Sequence, residues 1–238
     1  MAIVSLKHVS RAYRMENHEI YALKDINLTI NAGEFAVILG PSGSGKTTLL
    51  NLIGGIDVPT GGDLEVARIQ LTNGANLTRF RREMIGHIFQ FFNLIPTLTA
   101  LENVEYALEL VNGLSRKQLR SRALECLDFV GLLQRANHFP SQCSGGEQQR
   151  ISIARAIAKE PPIILADEPT GELDFETGKR ILELLQLQTE NFGRTVVVVT
   201  HNSEIAKISD RVIRLRGGKI AQDIDNRGSK VPISAITW

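Results

Sequence analysis

Two early segments of the chain show the hydrophobic pattern of β-strands. Residues 3–13 form the first, and residues 20–30 form the second. In the second, Ile26, Leu28 and Ile30 alternate with polar neighbours. A period of two predicts a half-buried strand of an antiparallel sheet.

Further along, the apolar residues come in uninterrupted runs. Residues 35–39 form the first run, residues 163–166 the second, and residues 195–200, with four consecutive valines, the third. Such runs are typical of parallel strands, because helices cover both faces of a parallel sheet. Nearer the end, the segment 211–225 is predicted to be a β-hairpin that turns at its glycine pair.

Between these strands the hydrophobic period lengthens to three or four residues. It predicts helices at about 46–56, 116–134, 146–159 and 176–190. Residues 99–102 add the threonine and the glutamate of a capping box, so another helix should begin there.

The order of these elements predicts an α/β fold with a mostly parallel sheet, an N-terminal antiparallel β subdomain and an inserted all-helical subdomain. Within a single domain, 1–238, we expect the core with the β subdomain at about 1–92 and 160–222. The helical subdomain should cover about 93–159, and about 223–238 should form a tail. We expect a flexible tail; a regulatory or partner-contacting tail is the alternative.

Composition and charge exclude several other classes of protein. Hydrophobic residues make up 43% of the 238 residues and charged residues 22%, as in ordinary globular proteins. The 27 basic and 26 acidic residues leave a net charge of +1, so the footprint of a nucleic-acid-binding protein is absent and we expect no nucleic-acid partner. The basic run at 79–82 is predicted to be a solvated face.

No segment indicates secretion, a membrane span or a metal-binding cysteine cluster. The chain has neither a signal-peptide pattern at its start nor an apolar run near the ~20 residues that a span needs. Cys126 and Cys143 lack the spacing of a zinc site, and we expect them to be reduced thiols.

The first motif that carries chemistry is a glycine-rich loop between a buried strand and a helix. Residues 40–47 read GPSGSGKT and fit the phosphate-loop pattern G-x-x-x-x-G-K-[ST] without a mismatch. Backbone N–H groups of such a loop bind phosphate oxygens. Lys46 should reach the β- and γ-phosphates, and the Thr47 hydroxyl should ligate Mg²⁺. The predicted ATP-binding residues here are Gly40, Pro41, Ser42, Gly43, Ser44, Gly45, Lys46, Thr47 and Thr48.

An acidic pair, Asp167 and Glu168, follows the second apolar run. Taken alone, such a pair could be a simple turn. Combined with the phosphate loop, it predicts a P-loop NTPase core in which both carboxylates lie at the ligand-binding edge of the sheet. Asp167 should hold Mg²⁺ through water, and Glu168 should be the general base that polarises the attacking water.

Residues 143–150, CSGGEQQR, resemble the LSGGQ signature of the ATP-binding subunits of ABC transporters. The resemblance covers about residues 3–220. Ser144, Gly145 and Gly146 open a helix and so offer a second anion site. In this family the signature, here with Glu147, contacts the γ-phosphate bound by a second copy. The resemblance therefore implies an ATP-dependent homodimer.

The resemblance assigns roles to four further residues. Gln90 matches the Q-loop glutamine, which contacts Mg²⁺ or the attacking water and senses the membrane partner. His201 matches the switch histidine, although it could be a strand-end histidine without a catalytic role. Asp174 matches the D-loop. Tyr13 matches the aromatic residue that stacks on adenine, although simple packing is an alternative.

Two positions depart from the family's signature. Cys143 replaces the usual leucine, and Glu147 replaces the more common glutamine. Because the Ser-Gly-Gly centre is intact, we expect ATP binding in trans to survive. Glu147 adds negative charge near the start of the helix but complements the helix dipole. Both Cys143 and Glu147 could alter the rate of turnover.

Residues 89–104, with 21–23 and 161–171, resemble the lipoprotein-release and macrolide-efflux branch, whose relatives include FtsE-type ATPases of cell division. The branch implies a Mg²⁺-dependent ATPase bound through its Q-loop region to a separate transmembrane permease. It would lie on the cytoplasmic face of the cell membrane and export or extract a lipid, lipoprotein, peptide or drug. One alternative is mechanotransmission without a transported solute. Another, a soluble ABC ATPase of DNA repair or translation, is disfavoured by the single cassette.

Overall fold

The computed structural model of the chain describes residues 1–15, 18–72, 74–110 and 113–237. Its strands are β1 (Ala2–Met15), β2 (His18–Asn31), β3 (Phe35–Leu39), β4 (Gly61–Val66), β5 (Ile69–Gln70), β6 (Ile85–Ile88), β7 (Ile163–Asp167), β8 (Thr195–Thr200), β9 (Arg211–Arg216) and β10 (Lys219–Asp225). Its α-helices are α1 (Lys46–Ile53), α2 (Leu77–Met84), α3 (Ala100–Glu109), α4 (Arg116–Phe129), α5 (Gly145–Ile157), α6 (Phe175–Glu190) and α7 (Ser203–Ala206).

The larger sheet has six strands in the order β10-β9-β3-β8-β7-β6. All neighbours in it pair in parallel except β10, which forms an antiparallel hairpin with β9. The predicted mostly parallel sheet and C-terminal hairpin are therefore confirmed. Because β3, β7 and β8 are parallel neighbours, the loops that follow them meet at one edge of the sheet.

The smaller sheet is antiparallel, with four strands in the order β2-β1-β4-β5. β1 and β2 pair along most of their length, with Leu6 opposite Leu28 and Val9 opposite Ile26. These four side chains are buried, whereas their neighbours along β2 are exposed. The predicted half-buried antiparallel strand is confirmed.

The buried strands of the larger sheet divide their side chains between two cores. Along β3, Phe35 and Val37 pack into the core under the helical layer, whereas Ala36 and Ile38 face the core shared with α1 and the antiparallel sheet. Burying one such aliphatic side chain stabilises the fold by about 1.5–3 kcal/mol. This two-sided burial explains why these strands carry no polar alternation.

The helical layer is formed by α3, α4 and α5, which pack against one another. The predicted capping box before α3 is present: Thr99 Oγ1 accepts from the N–H of Glu102, and the Glu102 carboxylate accepts from the N–H of Thr99. Ser115 and Gln118 form a second box before α4. These caps satisfy N–H groups that no helical carbonyl can reach.

Several elements differ from the sequence-based expectation. The segment between α1 and Gln90 contains β4, β5, α2 and β6, none of which we predicted. These elements are short, and α2 buries only Phe80, so none shows a readable period. The helix predicted at 46–56 ends at Ile53, before Gly54 and Gly55. The helix predicted at 116–134 ends at Phe129, because Gly131 takes a left-handed φ of 70°.

The expectation of a flexible tail is wrong for the described residues, which end at 237. Ile233 and Ile236 are buried in the core under the helical layer. Lys230 Nζ donates to Asp210 Oδ1 at 3.1 Å. Asn226 Nδ2 donates to the Ser209 carbonyl at 2.9 Å. Two isolated isoleucines in a polar stretch gave no period from which this packing could be predicted.

Among the helices of the described ranges, none has the length and hydrophobicity required to cross a lipid bilayer.

Candidate active site

The glycine-rich loop connects β3 to α1 in the context that the motif requires. Gly45 is the N-cap of α1 with a φ of 99°, a left-handed conformation that favours glycine. A Cβ at this position would lie 2.5 Å from the Ala22 carbonyl oxygen, so no other residue fits without movement. The first N–H groups of α1 have no partner within the helix and are free to bind an anion.

Lys46 is 9% exposed, and its side chain curls back over the loop. Its Nζ donates to the carbonyl oxygens of Gly40 at 2.9 Å and Pro41 at 3.0 Å. Both acceptors are uncharged, so the ammonium charge remains available to a phosphate.

Asp167 ends β7 and lies beside the start of α1. The Thr47 hydroxyl lies close enough to interact with its carboxylate. Burial raises the pKa of Asp167 above its usual value, and the negative charge of Glu168 adds to the rise. A carboxylate in this position is stabilised by a cation, and the hydroxyl and carboxylate oxygens here are the ligand types that Mg²⁺ prefers.

Glu168 is held by two groups from the end of β8. Its Oε1 lies 2.8 Å from His201 Nδ1, and its Oε2 accepts from the Thr200 hydroxyl at 3.0 Å. Its φ of 44° is unusual for a residue other than glycine, so the backbone is constrained at this position. Thr200 was not predicted as a site residue. Its one signal in the sequence is a hydroxyl that ends a run of four valines.

One cavity of about 880 Å³ collects most of the predicted site residues. This volume suits a nucleotide-sized ligand. Its lining residues are Ala22, Pro41, Ser42, Gly43, Gly45, Lys46, Thr47, Thr48, Gln90, Asp167, Glu168, Gly171, Glu172 and His201. Ala22, Gly171 and Glu172 were not predicted as site residues. Gly40 and Ser44 support the loop from outside this lining.

The signature residues lie at a different cavity, of about 230 Å³. Ser144, Gly145 and Gly146 line it together with Asp174. An added Cβ at Gly146 would lie 2.5 Å from Thr177 Cγ2, so Thr177 would have to shift to admit any other residue there. In the described part of the chain, Glu172 is the one residue that lines both cavities. The signature is therefore not placed over the phosphate loop of its own chain.

The two departures from the signature have clear structural settings. Cys143 is buried and packs in the core, as an apolar residue would, and both cysteines are free. Glu147 completes a capping box with Ser144 at the start of α5. Its carboxylate also accepts from Arg135 Nε at 2.9 Å. Glu147 is absent from the described lining of the signature cavity.

Tyr13 lies on β1, outside the described lining of the phosphate-loop cavity. Its hydroxyl donates to Asp57 Oδ2 at 2.9 Å, and the Arg11 guanidinium lies 4.6 Å from its ring centroid. Tyr13 is 39% exposed, so part of the residue is accessible to a ligand. Stacking on adenine stays a prediction.

The fold and these two cavities define a P-loop nucleotide-binding protein of the ATP-binding-cassette class. A family model described as ABC transporter matches residues 23–171, and the chain belongs to this family.

Comparison with known proteins agrees with this assignment over nearly the whole chain. An uncharacterised ABC transporter ATP-binding protein, MJ0796 of Methanocaldococcus jannaschii, is 51% identical over 232 residues, which is 95% of this chain and 98% of that protein. A solved dimeric structure of the MJ0796 cassette, in a post-hydrolysis state bound to ADP and Pi, matches with a TM-score of 0.89 at 50% identity and covers 94% of this chain and 99% of that one.

A second relative is a longer protein. The macrolide export ATP-binding/permease protein MacB of Rhodopirellula baltica is 44% identical over 237 residues. The match covers 98% of this chain but 35% of MacB.

Proposed function

We propose that this chain is the Mg²⁺-dependent ATP-hydrolysing subunit of an ABC transporter, and that two copies enclose two ATP molecules to drive a separate transmembrane permease. The observation that carries the proposal is the separation of the two anion sites. The phosphate loop and the signature, both at helix N-termini, line different cavities of one chain. A second copy can bring its signature to the ATP on the first.

The residues around the larger cavity can bind the phosphates of ATP and activate the water that attacks the γ-phosphate. Lys46 and the loop N–H groups bind the β- and γ-phosphates, and His201 donates to the γ-phosphate. Glu168 polarises the attacking water. Its two hydrogen bonds, to Thr200 and His201, aim the carboxylate from the end of β8.

This cavity contains oxygen atoms of the kind that bind Mg²⁺. Thr47 would hold the ion directly, Asp167 through water, and Gln90 from the loop after β6. When bound, the ion neutralises charge that develops on the β- and γ-phosphates. It would also offset the buried charge of Asp167.

The decisive variant is Glu168→Gln, which removes the base and keeps the size of the side chain. With ATP and Mg²⁺ we expect a stable dimer in size exclusion with light scattering, and turnover reduced at least about 100-fold. A monomer that still hydrolyses ATP would overturn both the role of Glu168 and the paired arrangement.

Two further variants separate the two anion sites. Lys46→Ala should weaken ATP binding to the monomer. Ser144→Arg should leave that binding intact and abolish the dimer, because the added side chain blocks the start of α5. If Ser144→Arg still formed a normal ATP dimer, the signature would not act in trans.

We further propose that the permease docks in a groove beside the Q-loop. This groove, of about 450 Å³, lies between the loop after β6 and α3. Tyr106 and Leu110 flank it as exposed hydrophobic residues. Its lining includes Arg81, Arg155 and Lys159 but, among the described residues, no Asp or Glu. An apolar permease segment with an acidic side chain complements such a groove.

Transport is favoured over mechanotransmission by one finding. MacB, whose name describes macrolide export by an ATP-binding/permease protein, contains a region 44% identical to this chain. We infer the export or extraction of a lipid, lipoprotein, peptide or drug, with the chain on the cytoplasmic face of the membrane. Reconstitution with the permease tests this: ATP-dependent movement of a solute supports transport, and ATPase activity without it supports mechanotransmission.

A further inference from the structure

Arg135 contacts the start of α5 from outside the signature motif. It ends a short 3₁₀ turn, Leu133–Arg135, and its Nε donates to Glu147 Oε1 at 2.9 Å. Its Nη1 lies 3.2 Å from His138 Nε2. The Glu147 side chain is 16% exposed, against 43% for Arg135, so the ion pair is partly shielded from solvent.

The second carboxylate oxygen of Glu147 belongs to the helix cap. Oε2 accepts from the N–H of Ser144 at 2.8 Å, and Ser144 Oγ accepts in turn from the N–H of Glu147 at 3.2 Å. The backbone hydrogen bond from Ser144, followed by the contact with Arg135, lowers the pKa of Glu147. The carboxylate is therefore ionised at neutral pH, with both oxygens engaged.

An ionised carboxylate at this position would repel a phosphate that binds at the start of α5. A helix N-terminus is equivalent to about half a positive charge, and a full negative charge beside it outweighs that attraction. Around the signature cavity, two arginines are balanced by Glu172 and Asp174. The charge of Arg135 therefore decides whether the start of α5 attracts or repels an anion.

We propose that Arg135 is a positioning residue for the signature: it neutralises Glu147 and fixes it in the cap, so that the start of α5 accepts the γ-phosphate of the partner copy. This inference rests on the proposed ATP dimer. It also gives a physical reason why glutamate is compatible with phosphate binding at this position of the signature.

The backbone just after Arg135 is hydrogen-bonded to the first turn of α3. The N–H of Ala100 donates to the His138 carbonyl at 2.8 Å, and the N–H of Leu101 donates to the Ala136 carbonyl at 2.9 Å. Since α3 follows the Q-loop segment, the residues that hold Glu147 are tied to the helix beside the permease groove. Arg135 is thus held by the backbone and not only by its ion pair.

The test uses Glu168→Gln as the parent, with Arg135→Gln alone and combined with Glu147→Gln. With ATP and Mg²⁺, Arg135→Gln should weaken dimerisation about five- to tenfold, because an unneutralised carboxylate then lies in the first turn of each of the two helices that are to accept a phosphate. The combined variant should return to within about twofold of the parent. Nucleotide affinity of the monomer should be the same in all three. Arg120→Gln, which alters an exposed arginine of α4 paired with Glu105 at 3.6 Å, is the matched control and should dimerise like the parent.

Rescue by Glu147→Gln separates positioning from a merely structural role. If Arg135 only stabilised its turn, the combined variant would be as defective as Arg135→Gln, and the inference would be overturned. Normal dimerisation of Arg135→Gln would overturn it as well. If the parent itself failed to dimerise with ATP, the proposed ATP sandwich would fall, and this inference with it.

Discussion

At the residue scale, the geometry around Glu168 is set by groups that do not themselves react. The Thr200 hydroxyl is buried, and its donor bond leaves Oε2 with a fixed direction. The same hydroxyl accepts from the N–H of Asn202, which places the turn after His201. A single buried hydroxyl therefore connects the proposed base to the segment that carries His201.

We expect Thr200→Val to lower kcat for ATP hydrolysis about tenfold, since a hydrogen bond to a charged group contributes roughly 1.5–3 kcal/mol and valine conserves the shape. KM should change little, because the phosphates bind elsewhere. Steady-state kinetics at saturating Mg²⁺ measure both. Thr195→Val removes a buried hydroxyl from the other end of β8, where it accepts from the N–H of Gly33, and should leave kcat unchanged. An unaltered kcat in Thr200→Val would contradict the positioning argument.

At the scale of single elements, β6 carries an unusual residue for a core strand. His87 stacks against Phe89 with ring centroids 4.1 Å apart, and its buried Nδ1 has no hydrogen-bond partner in the described structure. Burial, with a smaller contribution from the charge of Arg155, lowers the pKa of His87 to about 4. The strand therefore favours a neutral imidazole.

The low pKa of His87 makes the stability of the fold depend on pH in a defined direction. The unfolded chain takes up a proton near pH 6.5 and the folded chain near pH 4, so the free energy of unfolding falls as the pH falls between these values. The loss between pH 7 and 4.5 should be about 2 kcal/mol.

In His87→Phe this contribution should disappear, and urea unfolding of both proteins at the two pH values measures it. The carboxylates are common to both proteins, so they cancel in the comparison. An equal loss of stability in both proteins would show that His87 is not the titrating group.

The elements also show which features a sequence can predict. Strands with one or two buried faces can be predicted, because their residues follow one pattern, which is alternation along β2 and an uninterrupted apolar run along β3. Phosphate-loop and signature residues are equally readable, since their chemistry needs fixed types at fixed spacing. Short elements such as α2, and single contacts such as Thr200 with Glu168, are set by tertiary neighbours and leave no period.

At the scale of the whole molecule, the cavity that collects the site residues and the proposed permease groove share one loop. Gln90 lines the cavity, whereas Phe89 and Asn93 line the groove. The Arg155 guanidinium of α5 donates to the carbonyls of Phe92 and Asn93. These bonds hold the loop in place between the cavity and the groove. Both of these residues have left-handed φ angles, 61° and 48°, so the loop follows a constrained path.

From this arrangement we expect that a substitution in the groove weakens binding to the permease but leaves the ATP-dependent dimer intact. Tyr106 and Leu110 are 49% and 41% exposed, and an added carboxylate on this apolar rim would have to be desolvated when a permease segment packs on it. We expect Leu110→Glu to lower the membrane-associated fraction of the chain in producing cells at least about fivefold. The purified variant should still form the ATP dimer in the Glu168→Gln background. Fractionation of cell lysates, with light scattering of the purified proteins, measures the two effects.

Ile224→Glu provides the matched comparison for the groove variant. Ile224 lies on β10, away from the groove, and is 41% exposed like Leu110, so the same change of charge should leave membrane association intact. Equal loss in both variants would point to general destabilisation. Full membrane association of Leu110→Glu would place the permease on another surface. A loss confined to Leu110→Glu would mean that the permease meets the chain beside the loop that carries Gln90, so that a shift of that loop would move a residue that lines the phosphate-loop cavity.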